Sequence, residues 1–89
     1  MQKLIIFQDK VECPVCDGQG FVRQITLQPI NKIVYVCDEC EAMWLDPDTI
    51  SIKNFIDLTT YIESCGYTYT TVRYEDEDYY WYAKKSKGN

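Results

Sequence analysis

Cysteine is the residue type of this sequence most suited to chemistry, and four of the five cysteines form two matched pairs. Cys13 and Cys16 enclose two residues, Cys37 and Cys40 enclose two more, and twenty residues separate the pairs. Two intervening residues allow a tight turn, here called a knuckle, to present both sulfurs to one ion while backbone N–H groups point at the thiolates. The spacing C-x2-C-x20-C-x2-C therefore predicts one structural Zn²⁺ ion bound by these four cysteines.

Two other uses of these cysteines are open: disulfides or free thiols, and a redox pair at Cys13 and Cys16. Stable disulfides are disfavoured in the intracellular compartment that we expect for this chain. A redox pair of this kind opens a helix, whereas Cys16 is followed by Gly18 and Gly20, which suit positive φ or close backbone approach. Four thiolates leave no open coordination position, so the predicted zinc stabilises the fold and does not catalyse a reaction.

Composition narrows the function classes. The chain has 89 residues, no His, and a net charge of −5 from nine basic and fourteen acidic residues. The lack of His, and of a Ser-His, Cys-His or phosphate-loop motif, argues against an enzyme. The negative charge, about −7 with a zinc tetrathiolate, argues against direct binding of nucleic acid. With no run of roughly 18 apolar residues and no secretory signal, we expect a cytoplasmic protein.

The elements that must position the cysteines are two β-rich segments. Residues 21–28 and 32–37 are separated by a turn at Pro29, Ile30 and Asn31, and a hairpin here would return the chain beside its start. The two knuckles would then meet. The apolar run from Leu4 to Phe7 is expected to add a strand to this sheet or to the core.

The stretch from Cys13 to Asp46 resembles the zinc ribbon of the transcription-factor-IIB type. Its second half, Cys37-Asp38-Glu39-Cys40-Glu41-Ala42-Met43-Trp44-Leu45-Asp46, is similar to the C-x-x-C-x-x-x-W-L-D ending of one small bacterial branch. Such ribbons usually carry Gly soon after the second cysteine pair, where this chain has Glu41 and Ala42. The resemblance implies zinc ligation by the four cysteines, and packing of Trp44 and Leu45 beside the site.

An amphipathic helix is predicted at about residues 51–65. Phe55, Leu58, Ile62 and Cys65 form one apolar stripe, and Gly66 suits the helix end. Ser51, Asn54 and Asp57 are each candidate N-caps. Cys65 is expected to be a small buried hydrophobic residue, the alternative being a reactive thiol or a spare ligand.

The C-terminal part is predicted to be a β-hairpin. Residues 67–74 and 79–84 are rich in Tyr, Thr and Trp and flank an acidic run at 75–78, which would form the loop. The predicted fold class is α+β: a four-cysteine zinc ribbon at 11–46, the helix, and the hairpin, in a single domain spanning 1–85 with a frayed tail at 86–89.

Acidic and tyrosine side chains suggest the function. An acidic hairpin tip beside exposed tyrosines would suit docking on a basic protein, although solvated loop charges and cross-strand aromatic pairs are the simpler alternatives. The predicted partner-binding residues are Glu75, Asp76, Glu77, Asp78, Tyr74, Tyr80 and Tyr82. The preferred hypothesis is a non-catalytic zinc-binding interaction module, an acidic bacterial immunity protein or antitoxin that neutralises a basic nuclease toxin. The alternative is a zinc-ribbon module that acts in transcription through a polymerase or another protein.

Overall fold

The computed structural model describes residues 4–87, with side chains through residue 85, as one antiparallel sheet of seven strands with two α-helices. The strands are β1 (Ile6–Phe7), β2 (Lys10–Glu12), β3 (Phe21–Gln28), β4 (Lys32–Cys37), β5 (Ala42–Trp44), β6 (Ile56–Asp57) and β7 (Arg73–Asp78). The helices are α1 (Leu58–Ser64) and α2 (Trp81–Lys87), and 3-10 turns lie at Pro47–Thr49 and Tyr69–Thr71. The strand order is β1-β2-β3-β4-β5-β6, and β7 also pairs with β3. The α+β class is thereby confirmed.

The β3–β4 hairpin matches its prediction at both ends. Its register runs from Val22 opposite Cys37 to Leu27 opposite Lys32. Asn31 closes the turn with a φ of 63°, which Asn tolerates better than most residues. The hairpin returns the second cysteine pair to the start of β3, as the sequence predicts.

Both faces of the sheet are covered, because alternate residues of β3 and β4 point to opposite sides. One face packs against Leu58 and Ile62 of α1, and its strand residues are Ile25, Leu27, Val34, Val36 and Met43. The other face packs against Trp81 of α2 and Ile50, and its strand residues include Val11, Val22, Tyr35, Cys37 and Trp44. The strands that lead into the two cysteine pairs therefore lie within the core, and both helices pack against them.

Trp81 closes a gap beside β3. Strand β2 pairs with β3 at Phe21 and Val22, whereas β7 pairs with it only from Gln24 onward. In this gap the Trp81 indole Nε1 donates a 2.9 Å hydrogen bond to the Val22 carbonyl oxygen. Trp81 is 4 % exposed, so this bond gives its buried indole N–H a partner.

The predicted helix at 51–65 is too long at its N-terminal end. Residues 51–54 form turns, in which the Asn54 side chain donates to the Thr49 carbonyl at 3.3 Å. Ile56 and Asp57 then pair with β5, and Asp57 caps α1 by accepting from the Thr60 amide at 3.1 Å. Phe55, expected on the buried stripe, is 45 % exposed. The predicted end is correct, since Gly66 has a φ of 88° directly after the helix.

The predicted C-terminal hairpin is wrong. Residues 73–78 form a strand, but they pair with β3 rather than with residues 79–84, which form α2. Burial of Trp81 against the sheet outweighs the β-propensity of its neighbours, and the Asp78 side chain accepts from the Tyr80 amide at 2.9 Å as the helix begins. Of the predicted frayed tail, residues 86 and 87 belong to the α2 backbone, and Gly88 and Asn89 lie outside the described residues.

The N-terminal apolar run forms a hairpin that sequence reasoning missed. Ile6 and Phe7 pair with Val11 and Lys10, which confirms a strand within Leu4–Phe7. Gln8 and Asp9 have φ values of 51° and 68°, the geometry of a two-residue turn. The new strand lies beside β2, which leads into the first knuckle.

Arg23 explains part of the acidic run in β7. Its side chain is 10 % exposed, and its Nε lies 2.8 Å from Oε2 of Glu77 in an ion pair that lacks the angle of a directed hydrogen bond. The Arg23 guanidinium also lies 5.9 Å from the centre of the Tyr74 ring. Glu77 therefore neutralises a cation that β3 places inside the fold.

We expect Glu77→Gln to lower the free energy of unfolding by about 1–3 kcal/mol, because it leaves the Arg23 charge buried without its partner. Glu75→Gln is the matched control, since Glu75 pairs with Arg73 at 3.5 Å on the exposed surface, and should change stability by less than about 0.5 kcal/mol. Urea unfolding of both variants measures the difference. Equal losses would contradict a structural role for Glu77.

Candidate metal centre

The register of three strands brings the cysteines together. Val22 of β3 lies opposite Val11 of β2 on one side and Cys37 of β4 on the other. Cys13 follows β2 directly, so each knuckle begins where a strand flanking β3 ends. The Cys13 amide also donates to the Gly20 carbonyl at 2.9 Å, which closes the first knuckle. The sheet thus fixes the distance between the two pairs.

The four sulfur atoms lie within 4.8 Å of one another. The Cys13 and Cys40 sulfurs are 3.7 Å apart, and those of Cys16 and Cys37 are 3.6 Å apart. Tetrahedral zinc with Zn–S bonds of about 2.3 Å places its sulfurs about 3.8 Å apart. The cysteines are not paired as disulfides. The donor set and its spacing fit one zinc ion bound by all four predicted ligands.

The electrostatics of the cluster also favour a cation. The pKa of Cys37 is lowered to about 5, mainly by the hydrogen bond from Cys13, and the pKa of Cys13 is raised by the same bond and by burial. Burial raises the pKa of Cys40 to about 11. Sulfurs this close cannot all ionise without a positive charge between them, and a divalent ion would supply that charge.

The backbone of each knuckle is shaped for thiolates. Amides of Glu39 and Cys40 donate to the Cys37 sulfur at 3.3 and 3.5 Å. The residue after each pair is left-handed, with a φ of 57° at Asp17 and 62° at Glu41. Glu41 therefore adopts the conformation for which ribbons usually employ Gly, and its carbonyl accepts from the Leu58 amide at 3.1 Å.

Gly18 and Gly20 are required as the sequence predicts, each for a different reason. Gly18 has a φ of 82°, a conformation that favours Gly. At Gly20 a Cβ atom would lie 2.7 Å from both the Cys37 sulfur and Asp38 Oδ1. Only a residue without a side chain allows the first knuckle to pass this close to the second.

Asp38 is a site residue that the sequence analysis missed. Its carboxylate accepts from the Phe21 amide at 3.0 Å and from the Tyr79 hydroxyl at 2.8 Å. Burial and Asp38 together raise the pKa of Tyr79 to about 12. Tyr79 lies two residues before the start of α2, so the second knuckle is hydrogen-bonded to the C-terminal segment.

The other residues implied by the resemblance or by the helix stripe behave differently. Trp44 is buried in the same cluster as Cys13 and Cys37, whereas Leu45 is 43 % exposed, so packing of Leu45 beside the site stays a prediction. Cys65 is only half-buried and contacts Tyr61 near the end of α1. It is outside the four-cysteine cluster, which contradicts its alternative role as a spare ligand.

The predicted partner-binding residues do not share one surface. Of the acidic run, Glu75, Glu77 and Asp78 form ion pairs with Arg73, Arg23 and Lys84 at 3.5, 2.8 and 2.9 Å, and Asp76 lies in a bulge with a φ of 56°. The run is thus part of a strand and not a hairpin tip.

The predicted tyrosines are also separated. Tyr74 lies opposite Leu27 on the face of the sheet covered by α1, whereas Tyr82 packs on the other face, with its ring centre 5.8 Å from that of Trp81. Tyr80 is 48 % exposed. Binding of a partner by these residues stays a prediction, but the structure removes the shared tyrosine face on which it depended.

Carboxylates flank the four cysteines along the sequence instead. Five acidic residues lie within the knuckles or directly beside a ligand: Glu12, Asp17, Asp38, Glu39 and Glu41. Among the described side chains, no Lys or Arg forms an ion pair with any of the five. Together with a tetrathiolate site, they make this end of the molecule strongly negative.

Comparison with known proteins supports no functional assignment. No model of a known protein family matches the chain, and no solved structure matches it. The chain is 30% identical over 80 residues to the uncharacterized protein L48 of Acanthamoeba polyphaga mimivirus, and the alignment covers 86% of this chain and 66% of that protein. The chain thus spans just under two thirds of this relative. Within residues 4–87, no helix is long and apolar enough to cross a membrane.

The purified protein is expected to contain one zinc ion per chain. Elemental analysis should show this ion in the wild type, and Cys37→Ser should lose most of it, because the remaining three ligands cannot complete the tetrahedron. Cys65→Ser is the control and should retain the metal. A chelator should lower the melting temperature, since metal binding contributes to folding. A wild-type protein that contains no metal, and whose melting temperature a chelator leaves unchanged, would contradict the site.

Stability is expected to fall as the pH rises from about 10 to 12. The unfolded chain loses the Tyr79 proton near pH 10, whereas the folded chain retains it until about 12, so the folded state binds more protons in this window and is progressively destabilised. Tyr79→Phe should reduce this fall, measured by urea unfolding at several pH values. Tyr80→Phe, at an exposed tyrosine, is the control. In this variant the free energy of unfolding should change with pH as it does in the wild type. An unchanged slope in Tyr79→Phe would disprove the assignment.

Proposed function

We propose that the protein is a non-catalytic, zinc-stabilised interaction module that docks on a basic protein surface. The observation that carries this proposal is the group of five carboxylates around the cysteine cluster, none ion-paired with a described cation. Four cysteine ligands would complete the coordination of zinc, so the metal's role is to hold this surface in shape.

A basic partner follows from the sign and density of the charge. Charges within a Debye length of about 8 Å act together, and the five acidic residues belong to or adjoin two knuckles whose sulfurs are within 4.8 Å. Such a surface repels phosphate backbones. It attracts Lys- and Arg-rich surfaces and accelerates association with them.

In its specific form, the proposal is an inhibitor. Basic protein surfaces that evolved to bind nucleic acid can be covered by an acidic protein that imitates phosphate charge. We therefore propose an immunity protein or antitoxin whose partner is a nuclease. The size of the chain and its net charge of −5 support this form.

A second candidate is a transcription module that acts through a polymerase or another protein. It is favoured by the β3–β4 hairpin, which positions the four-cysteine cluster as the resemblance to zinc ribbons implies. The two candidates share a protein partner and differ in whether that partner is a nuclease.

The proposal is tested by co-expression with the products of the adjacent genes. We expect a 1:1 complex with a basic protein in size-exclusion chromatography, an affinity that decreases with added salt, and inhibition of that protein's nuclease activity. Binding of a polymerase component without any nuclease would favour the second candidate. A gel shift of DNA or RNA by this protein alone, or no complex at all, would contradict the proposal.

Two matched triple variants locate the surface. The first set neutralises three of the five acidic residues beside the cysteines: Asp17→Asn, Glu39→Gln and Glu41→Gln. The second set neutralises three exposed acidic residues elsewhere: Glu63→Gln, Glu75→Gln and Asp76→Asn. Both sets raise the net charge by the same amount. We expect the first set to weaken the complex at least about tenfold, and the second less than about threefold. Equal losses of affinity would show that net charge alone drives binding. A larger loss of affinity in the second set would indicate that the partner binds the acidic run of β7. Either result would contradict binding at the acidic residues beside the cysteines.

A further inference from the structure

A pocket of about 100 Å³ lies where the N-terminal hairpin meets the first knuckle. Leu4, Ile5 and Pro14 provide apolar walls, and Glu12 and Asp17 provide two carboxyl groups. This cavity is separate from the space between the four sulfurs, although Cys13 also contributes to its lining.

The pocket is built by the backbone around it. The Glu12 amide donates a 2.9 Å hydrogen bond to the Ile5 carbonyl, which holds the two walls together. A Cβ atom on Gly18 would lie 2.8 Å from Glu12 Oε1, so the glycine allows this carboxylate to lie against the knuckle. Leu4 packs on the core cluster that contains Cys13. The walls are thus fixed to the same elements as the metal site.

The chemistry of the lining selects a cation with an aliphatic stem. Within the described part of the chain, neither Glu12 nor Asp17 has an ion-pair partner, and the neighbouring cysteine cluster would add further negative charge with zinc bound. Apolar walls next to carboxylates match lysine, whose methylene groups pack on apolar surface while its ammonium group binds acids.

Apolar side chains beside the pocket offer the rest of a docking surface. Ile5 and Phe7, which lie on the same side of the hairpin because successive strand residues alternate, are 63 and 52 % exposed. The Phe7 ring stacks on that of Phe21 at 6.4 Å, and the Lys10 ammonium lies 4.9 Å from the Phe21 ring centre at the border of this patch. An anchored side chain surrounded by apolar contact is the usual centre of a protein interface.

We infer that this pocket binds a lysine side chain of a basic protein partner, with Ile5 and Phe7 contacting the surface around that lysine. The inference rests on the proposed docking function. It identifies the pocket beside the first knuckle as the place where the partner makes its central contact.

The binding of lysine is measured by NMR titration of the zinc-loaded full-length protein with N-acetyl-lysine N-methylamide. We expect saturable amide shifts confined to Ile5, Glu12, Asp17 and Gly18. The N-ε-acetylated derivative should cause none, because it lacks the charge. The Glu12→Gln, Asp17→Asn double variant should lose the shifts while retaining its zinc, since Gln is isosteric with Glu and Asn tolerates the left-handed φ of 57° at position 17.

Three outcomes would overturn the inference: no shifts at these residues, equal shifts with the acetylated derivative, or unchanged shifts in the double variant. The inference and the proposed function can fail separately. If a basic partner binds the wild type and the double variant equally, the pocket is wrong and the docking function stands. If lysine binds the pocket and no basic partner forms a complex, the pocket stands and the docking function is wrong.

Discussion

Four cysteine sulfurs held within 4.8 Å of one another, too close to ionise together without a cation, are the constraint on which the structure depends. A crowded set of thiols either retains its protons or receives a cation, and the second solution converts repulsion into a cross-link. The sheet is arranged to maintain this crowding. Strands β2 and β4 flank the start of β3 and each leads into a knuckle, so a bound metal would join segments that are distant in sequence. In a chain of 89 residues, one such cross-link would replace a considerable area of apolar core.

The C-terminal segment is coupled to this centre by polar contacts. Asp38 lies inside the second knuckle and accepts from Tyr79, and two residues later Trp81 donates to the carbonyl of Val22 in β3. The C-terminal segment that contributes Trp81 to the core therefore also stabilises the second knuckle. A change that loosens one of them should also loosen the other.

The sequence predicts the features that depend on short-range spacing. The cysteine pairs, the β3–β4 hairpin, the roles of Gly18 and Gly20 and the end of α1 at Gly66 all follow from local patterns of residues. The predictions that were wrong concern residues whose partners are distant in the sequence. Residues 75–78 have the composition of a loop, but they belong to β7 and pair with the part of β3 that β2 leaves free. Nothing near Glu77 in the sequence indicates that it pairs with buried Arg23. Likewise, Phe55 has the correct helical spacing, but Asp57 caps the helix after it.

The unpaired edge of strand β7 affects whether copies of the protein can pair with one another. Its inner side is paired with β3, and no described strand covers its other side. Open strand edges invite pairing between chains. Here the edge carries one Arg followed by four consecutive acidic residues and is interrupted at Asp76, whose left-handed backbone breaks the regular ladder. A neighbouring copy would meet like charges and a mismatched register, so the same acidic run that balances Arg23 also protects a concentrated solution from fibre formation.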